Sequence, residues 1–304
     1  MRTLVLGGNG FIGSHIVDAC TQAGFDVRVL ARDRYRYDSS VLSFIGDAFE
    51  EADLSNACAG GLDVVVHCAD SATPSTADSD PFPYESLKGA LSLVDALSAG
   101  NIEHLVYISS GGAVYGDVGS EPASENLPCE PLSVYGARKL AAETYLRVLC
   151  AKRNVTLTIL RPSNPFGGRQ EFKNGQGLLP LLIHKAIHDE VLDLYDFGES
   201  IRDFIHIDDV ADAVVKVMQQ HAAGVFNVSY GKGVKVLDLV DVVEQEFEHK
   251  FVKRFHPRRD FDVPSIVLDN RKLSLRCGWR PKIGFRRGLK RYLSEVRSTR
   301  WLRK

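Results

Sequence analysis

The chain has 304 residues, is 44% hydrophobic and 25% charged, and carries a net charge of −2. That is enough chain for one large or two ordinary domains, and the near-neutral balance excludes a basic nucleic-acid-binding surface. No run approaches the roughly 18 apolar residues of a membrane span, and the first residues already read as strand and turn rather than as a signal peptide. A cytoplasmic protein touching neither membrane nor nucleic acid is therefore expected. Six cysteines (20, 58, 68, 129, 150 and 277) contain no CxxC pair, which points to reduced thiols rather than a disulfide frame or a metal site.

Leu4-Val5-Leu6 is a short apolar run that predicts a buried strand. Glycines follow at 7, 8, 10 and 13, then apolar Ile12, Ile16, Val17 and Cys20 at helical spacing. Strand, glycine turn and helix form the context of a dinucleotide-binding fingerprint. Gly7, Gly10 and Gly13 would allow the tight turn, the approach of a pyrophosphate and close helix–strand packing. Phe11 and Ile12 open the helix, whose partial positive N-terminus would face the phosphates.

A second strand, Phe25 to Leu30, runs into Ala31-Arg32-Asp33-Arg34. The end of this strand meets the adenosine ribose in such units, where an acid holds the 2′-hydroxyl and an arginine tolerates a 2′-phosphate. Ala31 is no acid and Arg32 and Arg34 are within reach, so NADP is favoured over NAD. Solvated arginines, or Asp33 swinging back to the ribose, are the competing readings.

Leu42 to Asp47 predicts a third strand, nearly all-apolar Leu62 to Ala69 a fourth, 84–99 a helix and Ile102 to Ser110 a fifth strand. The alternation predicts an α/β protein with a Rossmann-type doubly wound parallel sheet. Tyr135 and Lys139 are four apart, on one face of a predicted helix. A phenol is a poor base at neutral pH, and a nearby ammonium favours the phenolate. A tuned phenol can then accept a proton from a substrate hydroxyl.

Gly7-x-x-Gly10-x-x-Gly13, Ser109-Ser110 and Tyr135-x-x-x-Lys139, in that order, resemble the extended short-chain dehydrogenase/reductases. The nearest likeness is to nucleotide-sugar epimerases and dehydratases of the UDP-glucose 4-epimerase type. Leu160 to Gly167, Gly198 to Val210 and Arg258 to Val263 resemble that family's later segments. The resemblance implies that Tyr135 is the general base and acid for the sugar hydroxyl, with Lys139 lowering its pKa and binding the nicotinamide ribose. It implies that Asn164, Arg202 and Arg259 hold the substrate diphosphate, that Asp47 touches the adenine side, and that Ala69 touches the cofactor through its backbone. One position departs. Counting three back from Val114, where those epimerases carry Ser or Thr, gives Gly111. Ser110, its neighbour, or else a water, is then expected to supply the second hydroxyl.

The remaining chain predicts a smaller C-terminal α/β substrate domain over 164–304, with the dinucleotide domain over 1–163 and 203–228 returning to it. His184 and His188 are four apart but lack the glutamate of a zinc-protease helix, so a solvated face is expected rather than a metal site. Tyr195 is a candidate either to stack on a base or simply to pack. Asp208 or Asp209 is the expected N-cap of a helix over 210–219.

Three functions compete. The lead is an NAD(P)-dependent 4-epimerase of a UDP- or dTDP-hexose, acting by transient oxidation at C4. The second is an NADPH-dependent 4-keto-6-deoxyhexose reductase, which Arg32 favours. A dehydratase is disfavoured because Gly111-Gly112 stands where the family's Asp-Glu pair is expected. The third is a non-catalytic cofactor sensor on the same fold, against which the Tyr135/Lys139 pair argues. The resemblance also implies a homodimer joined through helices at 84–99 and 135–150.

Overall fold

A computed structural model describes residues 1–33, 37, 39–70, 89, 92–97, 102–172, 177–259 and 261–298. Its main element is a seven-stranded parallel sheet ordered β10-β6-β5-β4-β1-β2-β3. These strands are β1 (Arg2–Leu6), β2 (Asp26–Ala31), β3 (Leu42–Ile45), β4 (Val64–His67), β5 (His104–Ile108), β6 (Thr156–Pro162) and β10 (Gly224–Val228). Every residue of β4 and β5 is buried, as expected of parallel strands covered on both faces.

On one face lie α1 (Phe11–Gln22) and α6 (Ile207–Gln219), packed together. Ile16, Val17 and Cys20 of α1 and Val210, Val214 and Met218 of α6 share one apolar core with Val5, Val66 and Val106. The other face is covered by α2 (Glu51–Cys58), a helical stretch at 92–97 and α4 (Val134–Lys152). The order of the strands reverses between β1 and β4. In doubly wound sheets the crevice at the carboxyl ends of such a pair receives the ligand. The turn after β1 and the loop after β4 meet there.

A second, smaller body is built around β9 (Ile201–His206). It pairs antiparallel with β11 (Gly233–Lys235) and parallel with β13 (Ser265–Ile266) and β7 (Asn164–Phe166). Beside it, β8 (Leu192–Leu194) pairs with β12 (Lys253–Phe255). Helices α5 (Leu178–His188), α7 (Val236–Phe247) and α9 (Phe285–Ser298) close a separate apolar core containing Phe166, Leu182, Phe204, Val240 and Tyr292. Two short helices, α3 (Gly111–Val114) and α8 (Arg271–Cys277), complete the described elements.

Helix α6 starts earlier than the sequence predicts. His206 is its N-cap, with Nδ1 accepting from the Asp208 N–H at 3.2 Å. Neither Asp208 nor Asp209 caps it, because both carboxylates are engaged elsewhere. Asp209 accepts the N–H groups of Lys282 and Ile283, and Asp208 pairs with Arg291 at 2.7 Å. The predicted helix at 84–99 lies outside the described residues except for 89 and 92–97, and both of these parts are helical.

Candidate active site

The glycine turn shapes the floor of the crevice. Gly7 adopts φ +76°, and a Cβ there would sit 2.9 Å from the backbone N of Ala69, in the loop after β4. A Cβ on Gly13 would collide with the Gly7 carbonyl. The first backbone bond into α1 is from Ser14 N–H to Gly10 O at 2.9 Å. The N–H groups of Phe11, Ile12 and Gly13 are thus the open donors of a helix N-terminus. Asn9 Oδ1, in the same turn, is buried without a partner. A pyrophosphate fits this cradle: the side chains that would block it are absent, and the donors that would hold it are free.

At the rim, Asp47 follows β3 and accepts the Phe49 N–H at 2.9 Å. Ala31 is buried, whereas Arg32 and Asp33 are exposed. Asn9 Nδ2 donates to the Asp33 carbonyl, which ties this loop to the glycine turn. Arg34 lies outside the described residues.

The chemistry gathers where β5 ends and α4 begins. Ser133 caps α4, its Oγ accepting the Gly136 N–H at 3.1 Å. This cap sets the first turn that carries Tyr135. Lys139, one turn on, is only 6% exposed. Its Nζ donates to Ile108 O at 3.1 Å and lies 5.9 Å from the Tyr135 ring centre. Ser110 stands close enough to the Tyr135 phenol to pull its pKa down. Gly111 carries no hydroxyl for a steric reason: a Cβ there would collide with Leu268 Cδ1 and stand 2.9 Å from Arg161 O. Ser110 is the last extended residue before α3.

The balance at the phenol differs from the simple expectation of a lowered pKa. Burial raises it, Lys139 lowers it and Asp70 raises it again, leaving Tyr135 above the ordinary phenol value. Asp70 is a residue that sequence reasoning missed; its Oδ2 lies 2.7 Å from Lys139 Nζ. Its one signal was an acid directly after an apolar strand at the sheet's carboxyl edge. A second missed residue is Glu143, four after Lys139 on the same helix face. It is 0% exposed and takes Arg161 Nε at 2.9 Å and Nη2 at 2.5 Å, while Ser109 Oγ donates to it. Helical spacing from Tyr135 through Lys139 to Glu143 was the available signal.

The smaller body faces this edge with its arginines. Asn164 lies against the α3 turn, with its Oδ1 3.7 Å from where a Gly112 Cβ would be, and its Nδ2 donates to Asp203 O at 2.9 Å. Arg259 is bound in bidentate fashion by Asp262 (2.7 and 2.9 Å) and lies 4.0 Å over the Tyr195 ring. Tyr195 stacks on His256 at 5.0 Å. Arg202 is different. Among the described residues its Nη1 bonds only carbonyls, Ile201 O at 2.9 Å and Pro264 O at 3.5 Å. Burial lowers its pKa against the pull of Asp262 and Asp196. A cleft of about 480 Å³ opens here, lined by Asp117 and Leu132 from one body and by Asp196, Arg258, Arg259 and Asp262 from the other.

A larger cleft, about 1170 Å³, lies between α1, α6 and α9. Its charges neutralise one another: Arg169 with Asp18 (2.6 Å), Arg291 with Asp208 (2.7 Å) and Lys282 with Asp212 (3.3 Å). None of the groups gathered around Tyr135 lines it, so volume alone does not mark the site. Among the described residues no three His, Cys, Asp or Glu side chains converge as a metal site, and no helix is long and apolar enough to cross a membrane.

The model of the NAD dependent epimerase/dehydratase family matches residues 3–229. The chain belongs to that family. Its backbone superposes on a UDP-glucose 4-epimerase of Thermus thermophilus, solved in complex with NAD, with a TM-score of 0.91 and 31% identity over 98% of this chain and 100% of that one. A UDP-glucose 4-epimerase of Mycolicibacterium smegmatis is 29% identical over 95% of this chain and 96% of its own length. A dTDP-4-dehydro-6-deoxyglucose reductase of Escherichia coli is 28% identical over 78% of this chain and 75% of its own. The NAD in the Thermus complex gives no support to a preference for NADP.

Proposed function

We propose that this family member is a nucleotide-diphosphate-hexose 4-epimerase acting on a UDP- or dTDP-sugar. The reading is carried by one observation: the Tyr135 phenol, one helical turn from Lys139 with the lysine Nζ 5.9 Å from its ring centre, stands at the same sheet edge as the glycine cradle. Reversible hydride acceptance at sugar C4 is the chemistry that a bound nicotinamide dinucleotide supplies. Tyr135 takes the O4 proton through or beside Ser110, and gives it back when the 4-keto sugar has turned over in the cleft. Lys139 keeps a positive charge beside the phenol. Gly7, Gly10, Phe11, Ile12 and Gly13 hold the cofactor's diphosphate, Ala69 lines its path and Asp47 contacts its adenine end. Arg202 meets the diphosphate of the sugar nucleotide, because a partly buried guanidinium that bonds only carbonyls among the described residues is stabilised by an anion. Asn164 and Arg259 flank it, and Tyr195 stacks on the base.

The assay is conversion of UDP-glucose to UDP-galactose without added cofactor. Turnover on retained dinucleotide supports the epimerase, whereas no conversion of UDP-glucose together with stoichiometric oxidation of added NADPH by a nucleotide-4-keto-6-deoxyhexose, which accepts the hydride at C4, replaces it with the 4-keto reductase. That second reading is favoured by Ala31 and exposed Arg32, which suit a 2′-phosphate. Fluorescence titration with NAD and NADP decides the cofactor, and equal or tighter NAD binding removes the role of Arg32.

The proposed division is a dinucleotide-binding domain over 1–163, rejoined by 203–228, and a substrate domain over 164–304. The proposed assembly is a homodimer through the outer face of α4, where Tyr145 and Val148 are 47% and 50% exposed. A monomer in light scattering at micromolar concentration would rule that assembly out.

A further inference from the structure

We propose that Asp70 is a positioning residue of this site: its carboxylate fixes the Lys139 ammonium and limits how strongly that ammonium acts on the Tyr135 phenol. The proposal rests on the reading of Tyr135 as the base, and it concerns the loop after β4 rather than the helix that carries the base.

The geometry is direct. Asp70 Oδ2 stands 2.7 Å from Lys139 Nζ, and the two side chains are 22% and 7% exposed. Lys139 is also anchored to Ile108 O, so the ammonium is held from the end of β5 and from the loop after β4. It has little freedom to approach the phenol, whose ring centre is 5.9 Å away, or to leave it. A buried ammonium is costly without an anion nearby. Asp70 offsets that cost and keeps Lys139 charged, with a pKa well above the ordinary lysine value despite its burial.

The same carboxylate opposes the lysine's effect on Tyr135. An ammonium that shares its field with a carboxylate stabilises a phenolate less than a bare one does. Other described groups also face this cluster. Tyr107 of β5 has Lys139 5.2 Å from its ring centre and is pushed up to about 12 by burial. His67 of β4 is held neutral, at about 4, by burial. Ser110 and Arg138 pull the Tyr135 phenol down, and Glu143 is neutralised by Arg161 at 2.5 Å. Asp70 is therefore the anion that sets the balance between ammonium and phenol.

The test is an ultraviolet difference titration of the protein freed of cofactor and sugar, with the Tyr135→Phe spectrum subtracted so that one phenol is read. Asp70→Asn keeps the shape and removes the charge. It moves the Tyr135 midpoint down by about one pH unit, and moves the acid limb of the kcat/KM profile in the same direction. Asp70→Glu, which restores the charge, returns the midpoint towards that of the unsubstituted protein. An unchanged midpoint in Asp70→Asn, or an upward one, overturns the proposal. If Asp70→Asn does not fold, Asp70→Ser is titrated in its place against the same criterion. Because the titration needs neither sugar nor turnover, it can succeed even if the epimerase assay is negative, and fail even if that assay is positive.

Discussion

Two arginines, one on each body, show how differently the halves of the site are made: Arg161 is buried and Arg202 only partly so. Arg161 ends β6 beneath the catalytic helix and is neutralised twice over by Glu143, with the Tyr115 ring 4.9 Å away. Arg202 on β9 bonds carbonyls and, among the described residues, no carboxylate. The first arrangement is complete within the chain and holds Tyr135, Lys139 and β6 in register. The second has Asp262 and Asp196 nearby but, among the described residues, no carboxylate bonded to it. A guanidinium with its own carboxylate builds the scaffold, whereas one with no carboxylate bonded to it is where a diphosphate belongs.

The largest expected effect tests the base itself. Tyr135→Phe lowers kcat by about 10²–10⁴-fold while nicotinamide dinucleotide binding, read by fluorescence, is retained. Loss of both, or of neither, counts against its role. Next comes the paired arginine: Glu143→Ala leaves Arg161 buried without an anion and costs about 3–5 kcal/mol of stability in urea unfolding. A shift within ~0.5 kcal/mol would make that pair dispensable.

Arg202→Met should behave in the opposite way. It raises KM for the sugar nucleotide about 10–100-fold, the loss of a charged contact of roughly 2 kcal/mol. The free protein unfolds at the same or a higher temperature, because a partly buried charge with no bonded carboxylate among the described residues has been removed. A fall in Tm with KM unchanged would reverse the comparison between the arginines. Ser110→Ala lowers kcat by about tenfold or more without changing stability. Gly111→Ser does not rescue it and destabilises the fold by about 1–3 kcal/mol, because the new side chain meets Leu268 and the Arg161 carbonyl.

The smallest effect is on acid stability. Hydrogen bonding to His15 lowers Asp208 to about 2. Burial pushes Glu244 up, but Lys250, Lys253 and the Phe251 N–H outweigh it and bring it also to about 2. Both folded values lie below the unfolded ones, near 3.8 and 4.5. The stabilisation is therefore fully present above about pH 4.5 and is lost as pH falls towards 2. Urea midpoints at pH 6 and pH 3 should differ by the equivalent of on the order of 1–2 kcal/mol, after discounting the partly exposed Asp208. Equal midpoints in Asp208→Asn and the unsubstituted protein across that range would show that Asp208 contributes nothing.

The parallel sheet, the glycine cradle and the Tyr135/Lys139 pair were legible in the sequence because each is local. A strand is an unbroken apolar run, a cradle is a few glycines after it, and a catalytic pair is one turn of helix. Even the glycine at 111, where a hydroxyl is expected, could be read by counting. Sequence could not show that Asp70 meets Lys139, residues brought together from two different strand ends. Nor could it show that Glu143 neutralises Arg161 while Arg202 bonds only carbonyls among the described residues, or that burial outweighs the lysine at the phenol. Those are matters of long-range pairing and desolvation, and they depend on which charges the folded chain removes from water and beside which neighbours it leaves them.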